Sequence, residues 1–231
     1  YQTTVRTSGS VASGNVVGDL VVCGSGDPTM SRRFDEVGSD AGPLAELASQ
    51  VVAAGVHTVT GRLIVDASRW DSARVPDSWM SGDLTRGYAA TGGVFVVDEG
   101  RFDVIVDSRG SGHKVTWRAE PMRFERRIAG HVDRAHPTSS TRLSLEPIRS
   151  SRWRIGGAVA PQQVDTLGRA VAEPVAEAGA ALHDALGRAG VRVEGGLLID
   201  WSGETVRSTC DEALVLARVE SPPLLDIVQA V

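Results

Sequence analysis

Ser111 and Lys114 are the one serine–lysine pair with the spacing of an activated nucleophile, and Lys114 is the only lysine beside 23 arginines. S-x-x-K places both side chains together on one helical turn, where the amine can take the hydroxyl proton. Here the four residues Ser111, Gly112, His113 and Lys114 follow Asp107 to Gly110 and run straight into the alternating KVTWR. That context predicts a hairpin loop, which does not present positions i and i+3 together. Ser13, Gly14 and Asn15 spell S-x-N, but the chain's only asparagine then lies in a glycine-rich turn. His57, His113, His131, His136 and His183 are scattered, without the H-x-x-x-H or H-E-x-x-H spacing of a helical metal site. Gly24, Ser25, Gly26 and Asp27 follow an apolar strand, as a phosphate-binding turn would. The pattern G-x-G-x-x-G nevertheless fails at Thr29, and the next helical pattern starts only near Pro43, so a phosphate would meet no helix N-terminus and no nucleotide is expected. The residues do not form a self-contained catalytic set.

The elements that would position them fit a globular chain. With 231 residues, 42% hydrophobic and 23% charged, it can bury a core as one large domain or two small ones. No apolar run reaches the roughly 20 residues of a membrane span, and the opening YQTTVRTSGS lacks the basic and apolar regions of a signal peptide, so the chain reads as beginning in mid-protein. The net charge of -5, with both signs interspersed, gives no basic stripe and argues against nucleic acid as a partner. Cys23 and Cys210 are too few for a disulfide scaffold and lack zinc spacing. They stand either as two buried thiols, which the sequence slightly favours, or as one bridge, which export would favour.

Residues 1–17 suit an edge strand and a hairpin turn near Gly14 and Asn15. The apolar run Leu20 to Val22 then meets the punctuation of Gly24, Gly26, Asp27 and Pro28, a strand entering a shaped turn. From Pro43, residues Leu44, Leu47, Ala48, Val51 and Val52 fall on one helical face until Gly55, and VHTVTGRLIVD supplies a strand pair ending at Asp66. Strand, helix, strand predicts a βαβ unit. A second helix starts at Pro174 with the stripe Val175, Ala178, Leu182, Ala185, Leu186 and Ala189. It is followed by AGVRVEGGLLID, a near copy of AGVHTVTGRLIVD at 54–66. Between them VFVVD, DVIVDS, KVTWRAE, RRIAGHVD, RLSLEP and RWRIGGAV are short strand candidates. The expected class is mixed α/β, a βαβ-type layer over 1–91, a β-rich subdomain over 92–171, and a helix–strand return over 172–231. EALVLARVES and, after Pro222 and Pro223, the amphipathic LLDIVQAV end the chain in a helix cut off in its second turn.

The wording of these segments is more specific than their pattern. GDLVVCGSGDPTMS at 18–31 resembles the "GDL, apolar strand, GSGDPTLS" signature of the class C (type-4) penicillin-binding proteins, the D-alanyl-D-alanine carboxypeptidases and endopeptidases. GRLIVDASRWDS, VPDSWMSGDLTRGYAATGGVFVVDEG, AEPVAEAGAALHDALGRAGVRVEGGL and ALVLARVESPPLLDIVQAV are similar, in order, to further segments of that family. In the family, S-x-x-K lies upstream of the glycine-rich stretch, S-x-N follows the S-P-P-L helix, and K-T-G comes later. The resemblance therefore implies that this chain is the segment between the first two motifs, a non-catalytic insertion whose parent is exported and acts on peptidoglycan through an acyl-serine. It implies hydrolysis of D-Ala-D-Ala bonds or crosslinks, stem peptides as substrate, beta-lactams as ligands of the parent catalytic domain, and no metal or cofactor. It also implies a pocket for the diamino acid of the stem peptide at Trp79 and Asp83, with Tyr88 nearby. Asp77 competes with Asp83 for the acidic role, and Trp79 as a core anchor with Asp83 as a turn residue is the structural alternative. A carboxylate would pair with the ammonium while an indole face packs on its stem. Two rivals remain at this point, a non-catalytic cell-wall or protein-binding module, and a small complete enzyme using Ser111 and Lys114.

Overall fold

The computed structural model describes residues 1–31, 42–71, 75–110, 114–149, 151–204 and 206–230, so Ser111 and His113 lie outside the described residues. Chain contacts divide the protein into two compact units, one of Tyr1–Pro76, Gly92–Glu99 and Glu173–Val231, the other of Asp77–Thr91 and Gly100–Ala172. In chain order the first unit begins with β1 (Gln2–Thr7), β2 (Ser10–Ala12), β3 (Asn15–Val17), β4 (Leu20–Cys23), α1 (Gly42–Ala53), β5 (Thr58–Val59) and β6 (Leu63–Asp66). The second unit follows with β7 (Arg101–Asp107), β8 (Thr116–Glu120), β9 (Ile128–Gly130), β10 (Asp133–Arg134), β11 (Arg142–Arg149), β12 (Arg152–Val159) and β13 (Val164–Ala170). The first unit is completed by α2 (Pro174–Arg188), β14 (Arg192–Val193), β15 (Leu197–Asp200), α3 (Arg207–Glu212), β16 (Leu214–Glu220) and α4 (Leu224–Ala230). The expected mixed α/β class is observed.

The first unit carries two sheets, β15-β6-β4-β1-β16 and β14-β5-β3-β2. β4, α1 and β6 form the expected right-through βαβ connection, since β4 and β6 are parallel neighbours. The repeated sequence is a repeated structure. β15 lies parallel to β6 with Leu197 opposite Leu63 and Asp200 opposite Asp66, and β14 lies parallel to β5. α1 and α2 bury Leu47, Ala48, Val51, Ala178, Leu182, Ala185 and Leu186 in one core with Val22, Leu63 and Val65. Gly55, at φ +82, ends α1 as the sequence indicates. Ala189 departs from the expected stripe because it is the C-cap of α2 and exposed.

Three expectations need correction. β1 is an interior strand, bracketed by β4 and β16, because its partner comes from the far end of the chain; the hairpin expected near Gly14 and Asn15 is present and joins β2 to β3, with β2 at a sheet edge. VFVVD is buried but is no strand. Val94, Phe95 and Val97 enter the core, while its polar backbone bonds to a turn, Gly26 N–H donating to the Val94 carbonyl at 2.9 Å and Asp98 N–H to the Met30 carbonyl at 3.0 Å. Positive φ at Asp98 and Glu99 then breaks the extended path. Finally, Cys23 and Cys210 form a disulfide, with Cα atoms 5.7 Å apart, in a small cluster with Val21, Ile64 and Val206. The slight preference for free thiols fails because a sequence separation of 187 hides the approach of β4 to α3.

The outer side of β16 is closed by a side chain. The Gln50 amide of α1 accepts from Arg218 N–H at 2.9 Å and donates to the Arg218 carbonyl at 2.9 Å. In the second unit, β13-β7-β8 and β10-β12-β11, with β9 also on β12, enclose Phe102, Phe124, Trp153, Leu145 and Ile155. Phe102 stacks on Phe124 at 4.5 Å and meets Trp153 edge-on at 5.3 Å. Asp77–Thr91 belongs with these strands, because Arg86 bridges Arg169 on β13 and Ala170 N–H donates to the Thr85 carbonyl at 3.2 Å.

Candidate functional site

Three neighbouring parallel strands, β4, β6 and β15, run into the same device. Asp27, Asp66 and Asp200, each buried, use Oδ1 to accept both the backbone N–H and the hydroxyl of the residue two places on, Thr29, Ser68 and Ser202. The hydroxyl contacts are 2.7, 2.6 and 2.7 Å, and Gly203 N–H adds a third bond to Asp200 at 3.0 Å. Aspartate two residues before a serine or threonine closes a turn on itself. Oδ1 of each carboxylate is thereby engaged in its local turn, while Asp27 Oδ2 is buried without a hydrogen-bond partner.

The glycine-rich turn is likewise a packing junction. A side chain at Gly24 would place its Cβ 2.1 Å from the Val94 carbonyl oxygen, and Gly26, at φ +73, lies under the Trp70 ring with 2.6 Å to a hypothetical Cβ. Gln2 N–H donates to Ser25 Oγ at 2.8 Å, which returns a bond to the Gln2 carbonyl at 3.0 Å. The glycines permit close backbone approach between β1, residues 92–99 and Trp70, as that turn requires.

The segment Asp77–Thr91 has the open chemistry. Asp83 N–H donates to the Met80 carbonyl at 2.9 Å and Arg86 N–H to the Asp83 carbonyl at 2.8 Å, successive turns that lead into the short 3-10 helix Gly87–Ala89. These turns bring Tyr88 back over Asp83, and its hydroxyl donates to Asp83 Oδ1 at 2.7 Å. That hydrogen bond is the main reason the Tyr88 phenol titrates above its ordinary value, followed by burial and the Asp83 charge, with Arg86 opposing. Trp79, 38% exposed, lies in the preceding turn beside the more exposed Met80. The structure thus joins two of the three expected residues, Asp83 and Tyr88, and leaves Trp79 in the turn before them. Asp77 is exposed and makes no such bond, so the geometry favours Asp83 as the anchored acid.

Of the serine–lysine pair only Lys114 is described, exposed in the connection between the antiparallel strands β7 and β8. Asn15 bonds within its own turn, to the Ser13 carbonyl at 3.3 Å. Among the described residues no three of His, Cys, Asp and Glu come together as a metal site, and no helix is long and apolar enough to cross a membrane.

The exposed arginines of the second unit were missed in the sequence. That unit holds fourteen Lys and Arg against nine Asp and Glu, a surplus of five, while the first unit holds ten against twenty. The overall balance of -5 therefore averages two units of opposite sign, and the charges are not evenly mixed. The signal that could have found them is Arg152-x-Arg154 in an alternating strand.

Residues 1–231 match the family model described as the D-Ala-D-Ala carboxypeptidase 3 (S13) family. A D-alanyl-D-alanine carboxypeptidase of an Actinomadura species is 29% identical over 223 residues, covering 89% of this chain and 39% of that protein. The D-alanyl-D-alanine carboxypeptidase DacB of Haemophilus influenzae is 22% identical over 232 residues, covering 99% and 45%. The crystal structure of penicillin binding protein 4 (dacB) from Haemophilus influenzae matches 99% of this chain and 48% of its own with a TM-score of 0.75 at 23% identity. The same protein complexed with a novel beta-lactam matches with a TM-score of 0.66 at 21% identity, over 99% and 45%. The chain spans less than half the length of these relatives.

Proposed function

This chain belongs to the D-Ala-D-Ala carboxypeptidase 3 (S13) family, and from that premise we propose that it is the non-catalytic insertion of a serine D-alanyl-D-alanine carboxypeptidase or endopeptidase acting on peptidoglycan stem peptides. The observation that carries the reading is a family match along all 231 residues in a sequence that holds no Lys-Thr-Gly and whose single lysine lies in the connection between β7 and β8. In the parent, the serine Oγ would bond to the penultimate D-Ala carbonyl carbon as the C–N bond breaks. The terminal D-Ala leaves as the protonated amine, and water then hydrolyses the acyl ester. The nucleophile lies outside this chain, which is inert by itself. Beta-lactams react with the same serine.

The part this chain plays in substrate binding falls to Trp79, Asp83 and Tyr88. The Tyr88 hydroxyl fixes Asp83 by one oxygen, orienting the carboxylate toward the side-chain ammonium of a stem-peptide diamino acid. The exposed Trp79 indole offers a face for its methylene stem. The parent is extracytoplasmic; the disulfide between Cys23 and Cys210 supports this, since such bridges persist in oxidising compartments.

The test is intact-mass measurement after incubation with a fluorescent penicillin, on this chain and on the longer parent. The expected result is an adduct on the parent alone. An adduct on this chain would overturn the reading and point to Ser111, and an unreactive parent would favour a non-catalytic wall-binding module.

A further inference from the structure

Five arginines in or next to strands pair with an acid two residues away. Arg101 pairs with Asp103, Arg109 with Asp107, Arg118 with Glu120, Arg192 with Glu194 and Arg218 with Glu220. β11 and β12 depart from that pattern. On β12 the exposed positions two apart are Arg152 and Arg154, both arginines, on either side of buried Trp153. Across the ladder Arg152 stands directly opposite Arg149 on β11, an arrangement of like charges that costs stability unless something negative lies over it. Arg142, farther along β11, is exposed on the same face, opposite Ala158. None of these four guanidinium groups has a carboxylate within ion-pair distance among the described residues. Among the described residues, the acids on the exposed side of this sheet are Glu146 opposite Arg154, which also lies in the field of buried Arg169, and Asp133 on the neighbouring β10, opposite Ala158 and beside His131.

We infer that this face of β11 and β12 is a binding surface for a linear phosphodiester polymer of the cell envelope. Guanidinium groups recognise phosphate bidentately, and strand spacing sets Arg152 and Arg154 about 7 Å apart, so successive phosphates along a chain can be taken in turn. Between the arginines the face carries small residues, such as Gly156 and Ala158, leaving a flat floor on which an extended polymer lies. The strands expose one large apolar side chain, Ile148 at the β11 bulge, 44% exposed, which is less than the apolar face that stable attachment to an anionic membrane surface needs. The choice of an envelope polymer over nucleic acid rests on the extracytoplasmic reading above. The surface would hold the parent enzyme among wall polymers beside its peptide substrate.

The test is titration of this chain with poly(glycerol phosphate) at about 50 mM salt, where counterion release favours binding. Vesicles of phosphatidylglycerol and mixed-sequence duplex DNA are run beside it. The expected result is saturable binding to poly(glycerol phosphate) ahead of both others. It weakens at least about tenfold in R152Q/R154Q with a shallower salt dependence, and R118Q, whose arginine is already paired, leaves it unchanged. The thermal midpoint of R152Q should not fall, because a repulsive pair is removed, which separates lost binding from lost folding. Absence of saturable binding, equal binding by R152Q/R154Q, or tighter binding to vesicles or DNA would overturn the inference. The assay needs no acyl-serine, so its failure and the failure of the penicillin reaction are read independently.

Discussion

Asp66 and Asp200 stand directly opposite each other on parallel strands, 134 positions apart in sequence, and each closes the same turn with a serine two residues on. Helix, glycine turn and strand of the repeated segment end in the same capped turn because the same local residues dictate it.

Replacing Asp66 with Ala strips the buried turn of the acceptor for the Ser68 N–H and hydroxyl. The expected loss is about 1–3 kcal/mol, read as a lower urea midpoint, with D66N losing less because one acceptor oxygen survives. D66A/D200A should depart from additivity, since the two turns are neighbours.

Gly24 and Gly26 should respond differently to alanine. G26A places a methyl group against the Trp70 ring at φ +73 and costs about 1–2 kcal/mol for the backbone alone. W70A removes the ring and should recover the steric part. G24A meets the Val94 carbonyl, so W70A should rescue nothing there. Urea unfolding of the two double mutants checks this; equal rescue of both would contradict the packing described.

Reduction of the Cys23–Cys210 bridge frees a loop of 187 residues' separation and should lower unfolding stability by about 2–5 kcal/mol. Denaturant melts with and without reductant, beside a C23S/C210S variant, measure it.

Tyr88 should titrate above its ordinary value of 10.0 because Asp83 accepts its hydroxyl hydrogen. With a folded-state value above the unfolded one, the contact contributes below the ordinary value and is lost as pH rises through the folded value. Ultraviolet titration is clean, as the chain has only two tyrosines and Tyr1 can be changed to Phe. D83N should bring the Tyr88 transition down. In the longer parent, D83N and W79A should each raise KM for a diamino acid stem peptide more than they lower kcat.

Much of the first unit was legible because its information is local: helix stripes at Leu47 and Leu182, glycine stops, and two copies of one turn. What was not legible depended on distant partners. Cys23 meets Cys210, β1 is enclosed by β16, and Asp77–Thr91 joins β13 through backbone bonds that no periodicity announces. At the candidate site the residue types were readable, but the Asp83–Tyr88 bond required the intervening turns. The arginine face escaped because net charge averages over both units.

Gln50 gives the five-stranded sheet a stop. Its amide carries the same donor and acceptor as a peptide group, and it fills the hydrogen-bonding positions at Arg218 that a further strand would use. A neighbouring molecule seeking to extend the sheet there must first pull a helix-borne side chain away, so the exposed border of β16 is protected against edge-to-edge aggregation by a single residue.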